Sequence, residues 1–420
     1  MIVLPLAKRL ITTAITGLAV TCLTLAACQP ATAASPDHPD PATIARGQYL
    51  ARLADCEACH TAPGGMPFAG GRPFEIPGMG TLYASNITPD PASGIGAWSD
   101  DEFVRAVRAG ISPGWKHLYP AMPYQDYARM TPDEIRAIRA YLTTIKPVAR
   151  KPPANAIRFP FSIRAIMIGW NLFNGPSSSY PDDPSHTPQW NRGRTLVEGP
   201  GHCAECHSPR NLTMGTSHSH AYAGAITAGW TAYNLSSDLK SGLGSWSDEA
   251  LNAYLTTGHA NGHGTAAGPM AEVISYSLRF MTQSDRAAMI TYLRSLAPQP
   301  SAESQDHSAG PTQAALARGA SLFAGACSGC HLTTGAGRQI DFATISGAST
   351  LKDPDGHNLI QVILEGSQLT TDQGQISMPR FGAGYSDGDL SDIAAYTLLT
   401  LGKTRPAFDT NAVSTIKNSK

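Results

Sequence analysis

The chain has 420 residues, of which 42% are hydrophobic and 15% are charged. This length predicts two to four globular domains at roughly 100–200 residues each, and this composition excludes a disordered chain and one that is apolar along most of its length. The 31 basic and 32 acidic residues give a formal charge of −1. Without a basic run that could follow a phosphate backbone, nucleic acid is not an expected partner.

The N-terminal segment has the pattern of an export signal. Lys8 and Arg9 precede an apolar stretch, residues 10–27, that contains no charge, as in secretory signal peptides. Leu25-Ala26-Ala27-Cys28 looks like a bacterial lipobox, so we expect residues 1–27 to be removed and Cys28 to be acylated. Two alternatives stay open: cleavage after an Ala-x-Ala-like stretch near residues 31–33, and an uncut signal that acts as an anchor helix. The pattern predicts a protein on the periplasmic side of the cell membrane.

The chain contains an internal repeat. The text Asn-Ile-Thr-Pro-Asp followed by Gly-Ile-Gly-Ala-Trp-Ser in residues 86–99 recurs in related form in residues 234–247. A third unit lacks this text but opens with Arg318-Gly319, as the others open with Arg46-Gly47 and Arg192-Gly193. Two copies of one module and a third, related unit are therefore expected.

The repeat and the composition together predict the domain boundaries. Domains are expected at residues 40–147, 188–296 and 314–403, with Pro/Ser-rich linkers at 148–187 and 297–313 and a tail at 404–420. Each domain should close with a helix that begins at Thr131, Thr282 or Ser386, residues typical of helix N-caps. We expect an all-α fold of three tandem domains. The apolar stretch Ile163–Phe173 is predicted to pack across the first two domains, with docking on a partner or on a membrane surface as the alternatives.

Each unit contains one Cys-x-x-Cys-His motif, the pattern of c-type haem attachment. The three motifs are Cys56, Cys59 and His60; Cys203, Cys206 and His207; and Cys327, Cys330 and His331. On one helical turn these positions share a face, so two thiols and an imidazole can meet one macrocycle. We therefore predict three covalent haem c groups. A zinc site would need a fourth nearby ligand, and a redox-active disulfide would not need the histidine, so both are weaker interpretations.

The sixth iron ligand is predicted to be a methionine in each unit. Met378 is the only methionine after His331, and Met122 and Met270 stand at matching positions of the repeat, 62 and 63 residues after the motif histidines (122 − 60 and 270 − 207). Methionine ligation is usual in electron carriers because it raises the reduction potential. Other methionines compete less well, namely Met66, Met79 and Met130 in the first unit and Met281 and Met289 in the second. His202, His259 and His263 are expected in packing or surface roles.

These motifs together resemble one known family. The three haem motifs, the repeated Asn and Trp text and the segments Tyr-Pro-Ala-Met-Pro-Tyr and Gly-Pro-Met-Ala-Glu are similar to the triheme cytochrome c subunit of bacterial membrane-bound alcohol, aldehyde and gluconate dehydrogenases. The resemblance implies class I-like cytochrome c domains and a catalytic partner subunit with a pyrroloquinoline quinone, flavin or molybdenum cofactor. It also implies electron delivery to ubiquinone or to a terminal oxidase.

Two other functions remain as alternatives. The chain could be a free periplasmic multihaem electron shuttle, or, less in keeping with a methionine in each unit, a haem peroxidase with one open iron site. No Ser/His/Asp constellation or nucleotide-binding fingerprint occurs. We therefore expect electron transfer rather than oxidation of a substrate by this chain itself, and we name no catalytic residue.

Overall fold

The computed structural model describes residues 39–176, 179, 181–300, 310–409 and 411–418. The predicted signal segment and Cys28 lie outside these residues. Around the first motif the chain is mainly helical. The helices are α1 (Pro41–Leu53), α2 (Cys56–Cys59), α3 (Asp100–Ala109), α4 (Tyr124–Tyr127), α5 (Pro132–Leu142) and α6 (Ile166–Asn174). The strands are β1 (Pro73–Ile76), β2 (Gly80–Tyr83), β3 (Ile111–Ser112), β4 (Lys116–His117) and β5 (Ala156–Ile157).

The second and third motifs lie in similar surroundings. The second region contains α7 (Pro188–Glu198), α8 (Ala204–His207), α9 (Asp248–Thr257), α10 (Gly268–Tyr276), α11 (Gln283–Ser295), β6 (Ala225–Thr227), β7 (Trp230–Ala232), β8 (His259–Ala260) and β9 (Gly264–Thr265). The third contains α12 (Gln313–Ala326), α13 (Ser328–His331), α14 (His357–Glu365), α15 (Asp387–Tyr396), α16 (Ala412–Asn418), β10 (Ser367–Thr371) and β11 (Gly374–Met378).

Small antiparallel sheets accompany the helices. In the described residues β1, β2 and β5 form one three-stranded sheet with β2 in the middle, and the other strands form two-stranded hairpins. A two-residue loop, Asp372-Gln373, joins β10 to β11, and two-residue loops are the commonest hairpin connections. The expected all-α class is therefore not confirmed as stated: the chain is mainly helical with small hairpins.

A pair of crossed helices frames each motif: α1 with α5, α7 with α11, and α12 with α15. The helices cross at the Arg-Gly pairs that open the three units. A Cβ atom would lie 1.8 Å from a backbone oxygen of the partner helix at Gly47, 2.0 Å at Gly193 and 2.1 Å at Gly319. Because no side chain fits in this space, glycine allows the two backbones to touch. The arginine before each glycine pairs with an acid of the partner helix: Arg46 with Glu134, Arg192 with Asp285, and Arg318 with Asp392.

The predicted starts of the three closing helices are confirmed. The hydroxyl of Thr131 accepts the backbone N–H of Glu134, and the carboxylate of Glu134 accepts the N–H of Thr131, which makes a complete capping box. Thr282 caps α11, and Ser386 begins α15 with a second capping box. These caps follow from side chains only three residues apart, which explains why sequence reasoning located them.

The repeated text builds the same side-chain network twice. The side-chain oxygen of Asn86 accepts the N–H of Thr88 at 2.9 Å, and that of Asn234 accepts the N–H of Ser236 at 2.7 Å. Their amide nitrogens reach the chain just after each closing helix, at Val148 O and Gln299 O. Each asparagine is buried and therefore ties its loop to the end of a helix.

The three regions pack directly on one another. Leu53 of α1 and Leu369 of β10 both belong to the hydrophobic core that surrounds α11. The hydroxyl of Tyr49 in α1 donates to Asp285 of α11 at 2.7 Å. Asn358 of α14 bonds both backbone groups of Thr231, each at 2.8 Å. The described residues from Pro39 onward therefore form one packed unit, and the predicted domain boundaries remain a prediction.

The apolar stretch that includes α6 was predicted to pack across the first two domains, and only one side of the helix does so. Met167 is buried and Trp170 donates its indole N–H to Thr213 O of the second region at 2.8 Å. That side of α6 does pack across the first two regions, as expected. The other side, which includes Leu172 and Phe173, faces solvent.

Candidate haem sites

Each Cys-x-x-Cys-His motif forms a single helical turn. The backbone N–H of the histidine donates to the carbonyl of the first cysteine at 2.9 Å in the first motif and at 3.0 Å in the second and third. The first turn is entered through Asp55, whose backbone lies in the left-handed region (φ 53°). This turn places both thiols and the imidazole on one side of the backbone, as the motif spacing predicts.

The three motif histidines share one hydrogen-bond arrangement. Nδ1 contacts a backbone carbonyl oxygen in each: Ser85 O at 2.7 Å for His60, Tyr233 O at 2.6 Å for His207, and Ala343 O at 2.7 Å for His331. A carbonyl can only accept, so Nδ1 carries the proton and Nε2 carries a lone pair. Loss of solvation lowers the pKa of His60 and His207, which favours the neutral ring. All three rings are oriented as metal-ligating histidines are, with Nδ1 held by a backbone carbonyl.

No disulfide joins the cysteines of the three motifs, all of which the structure describes. Desolvation raises the pKa of Cys56, Cys59 and Cys203 to about 12, so these thiols are neutral near pH 7. A reactive redox cysteine has the opposite property, a lowered pKa. The thiols thus differ from those of a thioredoxin-like site.

The predicted methionine ligands lie in three different local structures. Met122 precedes α4 and packs against the first core together with Cys56 and Trp98. Met270 is the third residue of α10 and packs against the second core together with Cys203 and Trp246. Met378 is the last residue of β11, where it pairs with Ser367. The hairpin that holds Met378 packs on α10, since Ile376 contacts the second core.

Most of the competing residues have structural roles. Met130, Met281 and Met289 are at most 5% exposed and lie in the cores, whereas Met66 is 49% exposed. The His202 ring meets Tyr127 edge-on, and His263 stacks on Trp246 with ring centroids 3.7 Å apart. His259 is buried and bonds Thr265 Oγ1 at 2.8 Å.

The first and second motifs lie close together. Arg72 donates one hydrogen bond to Ala58 O, inside the first motif, at 2.8 Å. The same guanidinium forms a two-pronged ion pair with Glu272, two residues after Met270. Cys206 of the second motif is near enough to contribute to the raised pKa of Cys59. One arginine therefore connects the first attachment site to the helix that holds the second predicted ligand.

This donor set fits haem c. Two thiols and an imidazole whose Nε2 has no hydrogen-bond partner within the described ranges stand on one helical turn in each motif, which is what thioether attachment and iron ligation require. Among the described residues no group of three or more His, Cys, Asp or Glu side chains converges as a metal site. No helix there is long and apolar enough to cross a bilayer.

Comparison with known proteins places this donor set in a family. The chain is 37% identical to the fructose dehydrogenase cytochrome subunit of Gluconobacter japonicus, over 91% of this chain and 85% of that protein. It is 36% identical to the gluconate 2-dehydrogenase cytochrome c subunit of Pantoea cypripedii, over 86% of each. This chain belongs to the cytochrome c subunits of dehydrogenase complexes. It is thus an electron-transfer subunit, and the predicted family is confirmed.

Two further similarities cover a smaller part of the relative or of this chain. The cytochrome is 41% identical to a subunit of the nicotinate dehydrogenase of Pseudomonas putida over 87% of its own length, but spans only about a third of that longer protein. A family profile described as cytochrome C oxidase, cbb3-type, subunit III matches residues 42–142 and 314–396. The matched residues include the first and third motifs of this cytochrome.

Sequence reasoning missed the groups that orient the histidines and join the motifs. Ser85 and Tyr233 stand directly before the repeated Asn86 and Asn234, so the repeat marks their position, although nothing in it shows that their carbonyls meet an imidazole. Arg72 and Glu272 are 200 residues apart. No pattern in the sequence pairs them.

Proposed function

We propose that this cytochrome carries three covalent haem c groups in three tandem cytochrome c domains, residues 40–147, 188–296 and 314–403. Its role is to relay electrons from the catalytic subunit of a dehydrogenase to ubiquinone or to a terminal oxidase. The observation that carries the proposal is the threefold arrangement of a Cys-x-x-Cys-His turn whose histidine donates through Nδ1 to a backbone carbonyl.

The residues of each proposed site have separate roles. The cysteines would form thioether bonds with the haem, the histidine Nε2 would ligate the iron, and Met122, Met270 or Met378 would supply a second iron ligand. Haem c supplies an iron that gains and loses one electron without a change of ligands. The backbone acceptors at Nδ1 keep each ring from turning, and Trp98 and Trp246 restrict water. Fixed ligands make the reorganisation on electron transfer small.

Direct packing between the motifs supports a relay. Arg72 and Glu272 join the first motif to α10, the helix that holds Met270. Phe342, next to the His331 acceptor, accepts a hydrogen bond from Thr265 of β9 at 3.1 Å and contacts the ring of His259. The second region thus touches both of the others.

The relatives suggest the class of partner. Their names include fructose, gluconate and nicotinate dehydrogenases, so we propose a catalytic subunit with a pyrroloquinoline quinone, flavin or molybdenum cofactor. We further propose that the mature chain lies on the periplasmic side of the cell membrane and is anchored by acylated Cys28. The haem motifs themselves specify neither the electron donor nor the electron acceptor.

Haem stoichiometry tests the first part of this proposal. The pyridine haemochrome assay, combined with amino-acid analysis, should give three haems per chain. Replacing Cys327 and Cys330 together by alanine should lower the ratio to two, whereas Ser328→Ala in the same turn should leave it at three. A ratio below three in the unmodified chain, or an unchanged ratio in the double variant, would contradict the proposal.

Isolation of the complex tests the second part. The cytochrome is tagged, host membranes are solubilised in mild detergent, and companions are identified by mass spectrometry. Haem reduction is then followed at the absorption band of reduced haem c with fructose, gluconate, nicotinate and ethanol as separate donors. A companion dehydrogenase with substrate-driven reduction is the expected result. A cytochrome that purifies alone and is reduced only by added reductant would favour the free shuttle, and rapid carbon monoxide binding at one haem would favour a peroxidase.

A further inference from the structure

The outer side of α6 is apolar and uncovered. Ile168 is 57% exposed, Leu172 81% and Phe173 73%, whereas Met167 on the opposite side is 4% exposed. A surface helix of a globular protein normally turns its apolar side inward and its polar side to water. In α6 the solvent-facing side is the apolar one.

Polar contacts hold the inner side of α6 in place. The hydroxyl of Tyr124 donates to Asn171 Oδ1 at 2.7 Å. Asn174 Nδ2 donates to Thr213 Oγ1 at 2.9 Å, and the indole of Trp170 donates to Thr213 O at 2.8 Å. Both asparagines therefore point toward the protein, and the helix is fixed with its apolar side outward.

The exposed surface extends beyond α6 on both sides. Phe159 is 80% exposed and Ile163 is 46% exposed in the segment that leads into the helix. Leu212, which is fully exposed, stands beside Thr213, to which α6 is bonded. We call this surface the apolar face; it consists of Phe159, Ile163, Ile168, Leu172, Phe173 and Leu212. A cluster of this kind normally marks an interaction site.

The charge of the same segment is positive. Residues 143–181 contain five basic residues and no acidic residue, although the whole chain carries 31 basic and 32 acidic residues. Lys146, Arg150, Lys151 and Arg158 are exposed. The fifth, Arg164, donates to His117 O at 2.6 Å. Exposed aromatic and aliphatic side chains with basic residues in the same segment match an anionic lipid surface, where the basic groups meet phosphates and the apolar groups enter the acyl boundary.

The dimensions favour a helix that lies in the membrane surface. The nine residues of α6 extend about 14 Å at a rise of about 1.5 Å per residue, against a hydrocarbon core of about 30 Å. The helix cannot cross a bilayer, but it can rest at the boundary between headgroups and acyl chains. We propose that the apolar face of this cytochrome binds directly to the surface of an anionic phospholipid bilayer.

This contact would act together with the proposed acyl anchor but does not depend on it. The inference goes beyond the proposed function, because it requires neither three haems nor a particular dehydrogenase. The two can therefore fail separately.

Vesicle sedimentation tests the proposal. The full haem-loaded chain is prepared with Cys28→Ser, which removes the acylation site, and is mixed with vesicles of phosphatidylglycerol and phosphatidylethanolamine or of phosphatidylcholine alone. We expect binding to the anionic vesicles that weakens in high salt. The double variant Leu172→Gln/Phe173→Gln should reduce the partition coefficient about 100-fold, since one large apolar side chain lost from the bilayer accounts for about tenfold or more.

Two further variants separate the apolar and charged contributions. Ile226→Gln/Leu239→Gln changes apolar residues that are 70% and 74% exposed elsewhere, and this matched control should bind as the unmodified chain does. Arg150→Ser/Lys151→Ser should weaken binding to anionic vesicles by about fivefold for each charge removed. Visible haem spectra should be unchanged in all variants, which shows that they fold.

Two outcomes would overturn the proposal: an absence of binding to either kind of vesicle, and equal binding by the Leu172/Phe173 variant and the unmodified chain. If that variant binds vesicles normally but no longer purifies with its dehydrogenase, the apolar face is a protein interface instead. Substrate-driven haem reduction in the purified complex is measured in parallel and reports on the proposed function independently.

Discussion

The close helix crossing in the third region leads to a prediction that compares two glycines of one helix. Gly319 and Gly325 both lie in α12. A Cβ on Gly319 would lie 2.1 Å from Asp392 O of α15, whereas a Cβ on Gly325 would have no neighbour within 4 Å. Gly319→Ala should therefore force the two helices apart, and Gly325→Ala should only add helix propensity.

The expected magnitudes are of opposite sign. Overpacking at Gly319 costs about 1–3 kcal/mol or more, and the gain in helix propensity offsets about 0.5–1 kcal/mol of it. At Gly325 only the gain remains. Because this gain is common to both variants, their free energies of unfolding should differ by the overpacking cost alone, about 1–3 kcal/mol or more.

Guanidinium unfolding of the haem-loaded chain provides the measurement. Far-UV circular dichroism and Soret absorbance should both be followed, because a chain of several packed regions need not unfold in one step. The Gly319→Ala transition should begin at a lower denaturant concentration than that of Gly325→Ala. Equal transitions would refute the inference that the backbone contact at Gly319 needs glycine. The same comparison applies at Gly47 and Gly193, where the distances are 1.8 and 2.0 Å.

Three more predictions concern the haem sites. Met378→Ala should keep the haem attached but convert one iron to a high-spin or water-ligated state, visible by absorption and electron paramagnetic resonance. An unchanged spectrum would show that Met378 is not the ligand. Burial raises the pKa of Asp55 from 3.8 to about 7, and its Oδ1 has no hydrogen-bond partner in the described part of the chain. The folded chain thus keeps a proton that the unfolded chain releases, so this contribution to stability is full below about pH 4 and is lost as the pH rises to 7. Asp55→Asn, which suits a left-handed backbone, should remove up to about 4 kcal/mol of that pH dependence. The free energy of unfolding is measured at pH 4.5 and at pH 8 for both proteins, and an equal difference between the two pH values in both would contradict this assignment. Arg72→Gln should lower the reduction potential of the haem proposed at the first motif by roughly 20–60 mV and Glu272→Gln should raise it, because the oxidised site carries more positive charge; spectroelectrochemical shifts of the same sign would exclude a charge effect.

The sequence alone predicted the haem-attachment turns and the helix caps. A Cys-x-x-Cys-His motif needs one helical turn, and that turn is present in all three copies. The starts of the closing helices at Thr131 and Ser386 were equally predictable, since each capping box joins residues three positions apart. The recurring Arg-Gly pairs were visible in the sequence, but only the structure shows that helices cross at these glycines. The hairpin that ends at Met378 differs from the expected all-α fold, because its strand pairing leaves no helical periodicity in the sequence.

Only the tertiary structure decided which surfaces meet. The sequence showed that residues 163–173 are apolar but could not tell whether another part of the chain covers them, and the favoured packing is confirmed for the inner side of α6 alone. The bridge from Ala58 through Arg72 to Glu272 joins residues 200 positions apart, and the carbonyls that orient the motif histidines come from separate loops. Spacing within a helical turn is set by local backbone geometry, which the sequence determines by itself. Contacts between distant segments depend on how all the helices pack at once, and no local pattern specifies them.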